Sequence, residues 1–476
     1  MAEVLRPDIC VIGAGSGGLS VAAAAAAFGV SVVLIEKGKM GGDCLNTGCV
    51  PSKALIAASR RAQAMRDAAS FGIEPVDPNI NFAKVNAHVH AVIDGIRPTD
   101  SPERFRALGV TVIEDEARFV DASTVQAGDT RIEAQRFVIA TGSRAAVPPI
   151  PGLDTVKYHT NETIFEVTRK PAHLIVIGGG PIGLELAQAF RRLGSKVTVV
   201  EAATALGRDD PELAAFVVDR LERDGVTVRT GARIAKVSKY RNGVRVTLDS
   251  GGADKTETID GSMLLVATGR VPFTDGLDLD TANVTVERQG IKVDSRLRTS
   301  NRKVYAIGDV AGGPQFTHVA NYHAGIVVRN ILFRMGAKVR YDHIPRVTYC
   351  DPELAQVGLT EAEARENHRA IRVLRWSYGE NDRARADLAT EGLIKVIVTP
   401  KGKILGAGIV GAEAGEIIQM WGLAILNDMK IRAMTAFVSP YPTLSEISKR
   451  AAMQFYGPSL TNPWLKRIIA FLRRFG

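Results

Sequence analysis

A chain of 476 residues, 46% apolar and 23% charged, is long enough for two to four domains with sizeable cores. No apolar run reaches the roughly 20 residues that cross a bilayer, and an apolar strand begins without the zones of a secretory signal, so a cytoplasmic setting is expected. The net charge of +9 comes from scattered basic residues with no aromatic-laced motif among them, so no nucleic-acid partner is expected.

The first recognisable unit is "DICVIGAGSGGLSVAAAAAAFGVSVVLIE": a strand, Gly13, Gly15 and Gly18 in GxGxxG spacing, a small-residue helix, and a strand ending in Glu36. Glycines so placed between strand and helix, with an acid about twenty residues on, predict a dinucleotide site. The Ala22 to Ala27 run reads as the smooth face of a helix packed closely on a sheet. Next comes "GGDCLNTGCVPSKAL", with Cys44 and Cys49 just ahead of a helix that opens with Pro51, Ser52 and Lys53. A helix is predicted over Asn86 to Ile96, broken by Pro98, and then the strand and turn "FVIATGSR" carrying Thr141 and Gly142.

The grammar then repeats. "HLIVIGGGPIGLELAQAFRRLGSKVTVVE" holds Gly178, Gly180, Gly183 and Glu201, and "LLVATGRVP" holds Gly269. An internal repeat of this kind predicts two related domains and two dinucleotide sites. Glu201, at its strand end, suits a ribose 2′-OH and repels a 2′-phosphate, which favours NADH; Arg208 in "ALGRDD" keeps NADPH open. After "TSNRKVYAIGDVAGG" a helix is predicted from Val319 to Phe333. Beyond Tyr341, strands such as "GLIKVIVT" and "KILGAGIVG" alternate with helices such as "EIIQMWGLAIL" without a third fingerprint, the pattern of a separate domain for dimerisation.

The cysteine pair admits three readings. Zinc needs about four ligands and no second Cys or His cluster lies near, so no metal site is expected. A structural disulfide over so short a loop adds little and a reducing compartment opposes it. A dithiol that cycles remains. Cys49 starts a helix whose free N–H groups favour a thiolate, and Lys53 adds positive charge one turn on. The order suggests that Cys49 faces a cofactor and that Cys44, the more accessible sulfur, exchanges with substrate. Cys10 reads as core, and Cys350 as buried or idle. Two dinucleotide sites and one dithiol imply electrons passing from nicotinamide through flavin to a disulfide.

With these motifs in order, the sequence resembles the flavoprotein pyridine nucleotide-disulfide oxidoreductases, the group of dihydrolipoamide dehydrogenase, glutathione reductase and mercuric reductase, over residues 7 to about 455. The resemblance implies an α/β homodimer with two Rossmann-like domains and an α+β dimerisation domain. The expected division is 1–150 with 271–340 for FAD, 151–270 for NAD(P)H, 341–460 for the interface, and a basic helix over 461–476. It places FAD at Gly13, Gly15, Gly18, Glu36, Thr141 and Gly142, with Asp309 of "AIGDV" on the ribityl chain. NAD falls to Gly178, Gly180, Gly183, Glu201 and Gly269. It also pairs Lys53 with Glu185 beside the flavin's reactive nitrogen, although Glu185 taken alone reads as a surface helix acid.

One departure matters. Where the dihydrolipoamide and glutathione enzymes carry a histidine in HPTxxE, this sequence reads "SPYPTLSEIS", with Tyr441 in that place and Glu446 retained. An unperturbed His (about 6.5) can accept a proton at neutral pH, whereas Tyr (about 10) starts protonated. Oxidation of a dithiol should therefore suffer more than reduction of an electrophile. Mercuric reductases also carry tyrosine in this region, but they end in a further cysteine pair where this sequence reads "FLRRFG".

The implied activity moves electrons between NAD(H) and a disulfide through Cys44 and Cys49. The substrate is small or lipoyl-type, free or on a lipoyl-carrying protein. Metal-ion reduction is the alternative, and a docked interaction protein the alternative of another class. Tyr441 and Glu446 either border the substrate mouth of the partner subunit or pack at the interface. His88 and His90 read as surface or packing residues, and His318 and His323 as neighbours of the cofactors without an assigned role. Finally, "TNPWLKRIIAFLRRFG" reads as an amphipathic helix of about four turns, capped by Asn462 and Pro463. Leu465, Ile468, Ile469, Leu472 and Phe475 form its stripe, with Lys466, Arg467, Arg473 and Arg474 around it. Such a helix lies peripherally on an anionic membrane, or packs on its own domain or across the dimer.

Overall fold

A computed structural model describes residues 3–249 and 257–475. A five-stranded parallel sheet runs in the order Val304–Ala306, Arg136–Ile139, Ile9–Ile12, Val32–Ile35 and Thr111–Ile113. A four-stranded parallel sheet runs Met263–Val266, His173–Ile177, Lys196–Val200 and Val226–Arg229. From the second strand of the first sheet onward, the two orders coincide. The repeat in the glycine motifs thus extends to topology. Every residue of Ile9–Ile12 and Val32–Ile35 is buried, as expected of parallel strands covered on both faces.

Each sheet is followed by an antiparallel meander, Ala117–Asp121 to Thr130–Ile132 in the first unit and Arg233–Tyr240 to Glu257–Gly261 in the second. The chain leaves the first unit through Ser143–Ala145 and returns through Arg270–Pro272, which pair antiparallel. Val304–Ala306 then completes the first sheet. The alanine-rich helix, Ser16–Ala27, buries Val21, Ala22 and Ala25 and packs also on the helix Thr317–Leu332, where small side chains permit close approach. The helix expected from Asn86 begins earlier, at Phe82, because the Asn81 side chain accepts the Lys84 N–H and caps it.

The last sheet is antiparallel, ordered Arg346–Thr348, Glu353–Gly358, Ile404–Gly411, Leu393–Val398 and Arg372–Ser377. Trp421, Ile418 and Ile447 close its core from the helical side. The run expected as a single helix, "EIIQMWGLAIL", is interrupted at Ile418 by a tighter turn in which the Trp421 N–H bonds the Ile418 carbonyl. The terminal helix, Pro463–Leu472, has ten residues, under three turns rather than four. Beyond it the N–H groups of Arg474 and Phe475 bond carbonyls only three residues back. Among the described residues, no helix is long and apolar enough to cross a membrane.

Candidate active site

The two fingerprints fold alike. Gly13 has φ of +101°, and a Cβ there would lie 2.5 Å from the Ala140 carbonyl oxygen; a Cβ on Gly18 would lie 1.9 Å from the Gly13 oxygen. In the second unit Gly178 has φ of +113°, with Ala267 O 2.3 Å from its ideal Cβ, and a Cβ on Gly183 would meet Gly178 O at 2.1 Å. Gly15 and Gly180 cap the helices without side chains, so first-turn N–H groups face the space in front of them. Glu36 accepts the Ala14 and Gly38 N–H groups at 2.6 and 2.8 Å, and Glu201 accepts those of Gly179 and Ala203, both at 2.7 Å. A continuous cleft of about 2720 Å³ joins Glu36 to Glu201 past both cysteines. Open helix N-termini, glycines that admit no Cβ and a carboxylate at each strand end fit two dinucleotides.

Thr141, Gly142 and Gly269 line this cleft, with Thr141 donating to the Phe273 carbonyl at 2.7 Å. Asp309 accepts the Ser143 hydroxyl at 2.5 Å and lies 3.7 Å from the Arg270 guanidinium. Burial pushes its carboxyl up. Arg270 also reaches Asp43 at 3.1 Å, tying the short helix Gly42–Asn46 that carries Cys44 to the returning strand. Ser143, Arg270 and Asp43 carry no signal in sequence, since each is an ordinary polar residue until the bridge between units brings them together.

Cys49 is the first residue of the helix Cys49–Arg66, and its sulfur lies 3.4 Å from the Thr317 hydroxyl. Its pKa is lowered to about 6, first by a hydrogen bond from Cys44, then by Thr317 and the charge of Lys53, against the opposing effect of burial. Cys44 is pushed far up, because it gives that bond, is partly buried and faces the negative charge on Cys49. Both thiols are free, and Cys49 is the more exposed of the two, the reverse of the accessibility expected for Cys44.

Lys53 Nζ lies 2.8 Å from Glu185 Oε2 and 4.3 Å from the centre of the Tyr349 ring. The other oxygen of Glu185 accepts the Tyr349 N–H at 2.9 Å. Burial alone would pull Lys53 down, but Glu185 holds it up. Glu185 itself is only 5% exposed, which overturns its reading as a surface acid: the helix Pro181–Arg192 buries both faces between sheet and Cys49 helix. Thr317 and Tyr349 were not legible as site residues, for they arrive from the helix after Asp309 and from the last domain.

Tyr441 stands away from this constellation, 70% exposed, and its hydroxyl donates to Asp382 at 3.0 Å. That bond and the negative charge of Asp382 raise its pKa. Glu446 pairs with Arg450 at 2.9 Å instead. His323 is buried, accepts the Gly308 N–H through Nδ1 at 3.1 Å and meets Tyr341 OH at 3.0 Å. Burial lowers its pKa to about 4, so it is a neutral strut under the turn that presents Asp309. His318 lines the cleft, stacked on Phe316 and bonded to the Pro345 carbonyl. His90 approaches Glu166 at 3.6 Å and does not line the cleft. Cys10 and Cys350 are buried.

Residues 7–324 match the family model described as pyridine nucleotide-disulphide oxidoreductase, and residues 344–452 match the dimerisation domain of that family. Mercuric reductase of Streptomyces lividans is 35% identical, covering 94% of this chain and 96% of that protein. Dihydrolipoyl dehydrogenase of Geobacillus stearothermophilus is 36% identical, covering 94% of this chain and 96% of that protein. Among solved structures, the Cu(II) complex of the HOCl-induced flavoprotein disulfide reductase RclA from Escherichia coli is similar at a TM-score of 0.83 and 29% identity, over 93% of this chain and 98% of that one. LpdA from Mycobacterium tuberculosis is similar at 0.86 and 26%, over 94% and 99%. The family uses FAD and NAD(P)H, and its dimerisation domain supports a homodimer. With two dinucleotide cradles and a dithiol set between them, the chain belongs to the FAD-dependent pyridine nucleotide-disulfide oxidoreductases.

Proposed function

We propose that this enzyme works as an NADH-dependent reductase, passing electrons through the Cys44/Cys49 pair to an electrophilic acceptor, with a thiophilic cation as the first choice. The observation that carries the reading is Tyr441, whose hydroxyl donates to Asp382 and is held protonated. Removing protons from a dithiol substrate needs a base at that place, and a tyrosine so held is not one. A cation that binds two thiolates needs no proton there: NADH and M²⁺ give NAD⁺, H⁺ and M⁰.

In this reading residues 1–150 with 271–340 hold FAD, 151–270 hold NADH and 341–460 form the interface. FAD, when bound, accepts hydride from NADH and passes the electron pair to the disulfide. Gly13, Gly15, Gly18 and Glu36 seat it, with Thr141, Gly142 and Asp309 along its length. Gly178, Gly180, Gly183 and Gly269 leave room for the nicotinamide nucleotide, and Glu201 favours the unphosphorylated ribose. Lys53, fixed by Glu185, stabilises the Cys49 thiolate, and Cys44 meets the acceptor. Tyr441 and Glu446 border the mouth of the partner subunit's site. A reducing compartment such as the cytoplasm keeps the released thiols usable.

A second reading is reduction of a lipoyl-type disulfide, favoured by the 36% identity to dihydrolipoyl dehydrogenase. There Tyr441 would protonate the departing thiolate. The test assays NADH and NADPH against Hg(II), Cu(II), lipoamide and glutathione disulfide, with dihydrolipoamide oxidation alongside. Cation reduction with NADH that survives Tyr441→Phe supports the first reading. Lipoamide reduction that falls on the order of a hundredfold in that variant supports the second. Dihydrolipoamide oxidation as fast as any reductive reaction overturns both.

A further inference from the structure

The helix Pro463–Leu472 is well formed, with Asn462 accepting the Trp464 N–H, yet none of its residues is buried. Trp464, Phe471 and Phe475 are 72%, 57% and 74% exposed, and Leu465, Ile468, Ile469 and Leu472 are exposed beside them. At about 100° per residue the six of these side chains within the helix occupy one arc of roughly 160°, and Phe475, beyond it, packs edge-on against Phe471. Lys466, Arg467, Arg473 and Arg474 occupy the rest, flanking the apolar arc on both sides. Arg467 lies 5.7 Å from the centre of the Trp464 ring, its charge at the border between the two faces. No Asp or Glu follows Glu446 in the sequence, and Glu446 is itself paired with Arg450.

We propose that this helix docks the holoenzyme on an anionic lipid surface, lying in the headgroup plane with Trp464, Ile468 and Phe471 inserted. Charge chooses the occupant. A second copy of the helix would set four cations against four with no carboxylate between them, so self-pairing works against Coulomb repulsion. A neutral bilayer would use the apolar arc but not the cations on its flanks. An anionic one uses both, with tryptophan and phenylalanine at the boundary between headgroups and chains. The matched dimerisation domain ends at residue 452, before the helix begins, so the face lies outside the family's shared interface module. The surface would hold the reductase at a membrane whatever acceptor Cys44 serves.

The test sediments the FAD-loaded full chain with vesicles of phosphatidylglycerol and phosphatidylcholine, or of phosphatidylcholine alone, while following Trp464 emission against a Trp464→Phe control. Pelleting with the anionic vesicles, a blue shift and release by high salt are expected. Replacing Lys466, Arg467, Arg473 and Arg474 together by Gln should weaken binding on the order of a hundredfold or more. The pair Ile468→Asp and Phe471→Asp should abolish it with the cations intact. NADH turnover with a soluble acceptor should stay unchanged in both variants, which reports that they fold. Equal binding to neutral vesicles, no binding to either, or wild-type binding by both variants overturns the proposal. So does self-association beyond the dimer without lipid that is lost in a chain stopped at Gly457, which would assign the face to a second copy.

Discussion

Cys44 and Cys49 shift in opposite directions, Cys49 down to about 6 and Cys44 upward, so the reduced pair carries negative charge at neutral pH, favoured on the sulfur at the helix start. As pH falls through about 6, Cys49 gains a proton, and the thiolate-to-flavin absorbance of the reduced holoenzyme should fade over that window. Lys53→Met removes a cation that favours the thiolate and should move the midpoint up by about one unit. A midpoint unmoved by Lys53→Met would show that Lys53 does not hold the thiolate. The same substitution leaves Glu185 with only the Tyr349 N–H, costing about 1–2 kcal/mol, at the low end for a buried acid because the Lys53 head is partly open to water. For Tyr441 the expectation runs the other way: Tyr441→His supplies a base beside Asp382 and should raise dihydrolipoamide oxidation about tenfold or more. Unchanged rates and pH profiles for every substrate would place Tyr441 outside the chemistry.

The two glycine-bearing helices make an element-scale experiment, because each has a site where a methyl group meets backbone. Gly183→Ala drives a Cβ against the Gly178 carbonyl, and Gly18→Ala does the same at Gly13. Each should cost about 2–3 kcal/mol by overpacking, but with different signatures. Gly18→Ala should lower FAD content, and Gly183→Ala should leave FAD in place and weaken NADH binding. Loss of FAD in both would mean that the units do not bind independently. These elements were legible because the glycine spacing, the strand before it and the acid after it are all local in sequence. Thr317 and Tyr349 were not, and Glu185 was legible only through the family resemblance that pairs it with Lys53: a helix acid, a helix-initial threonine and a tyrosine beside a cysteine acquire meaning from the residues alone only when three separate segments meet around Lys53. Asp382 escaped for the same reason, lying 59 positions from the tyrosine it fixes. The cap of the terminal helix was legible and so was its stripe up to Leu472, but its length was too great by about a turn, since none of its residues is buried to hold the last ones helical.

At the scale of the molecule, a buried cation helps to bind the last sheet to the second nucleotide unit, as buried Arg192 does through Asp351. Lys395, whose side chain is 5% exposed, reaches Asp210, Glu212 and Glu361 at 2.8, 2.8 and 2.7 Å, and Arg375 joins Glu212 and Glu361 from the surface side. Asp210 also caps the helix Pro211–Arg223, so the cluster fixes an element of one unit against a strand of the other. Burial would raise the Glu361 carboxyl, but Lys395 and Arg365 overcome it and lower its pKa from 4.5 to about 2. A depressed carboxylate of this kind contributes stability that is fully present above the unfolded value near 4.5 and lost as pH falls through about 2. Lys395→Met leaves the buried Asp210 without its cation, while Glu212 and Glu361, partly exposed, keep Arg375 and Arg365, at about 3 kcal/mol near neutral pH. Without Lys395 the Glu361 and Glu212 carboxyls are depressed less, and acid, which weakens the wild type, relieves the variant. The difference in Tm should therefore narrow from about pH 7 to about pH 3. A deficit of equal size at both ends would show that the loss is one of packing around the Lys395 stem, with the charge of Lys395 playing no part.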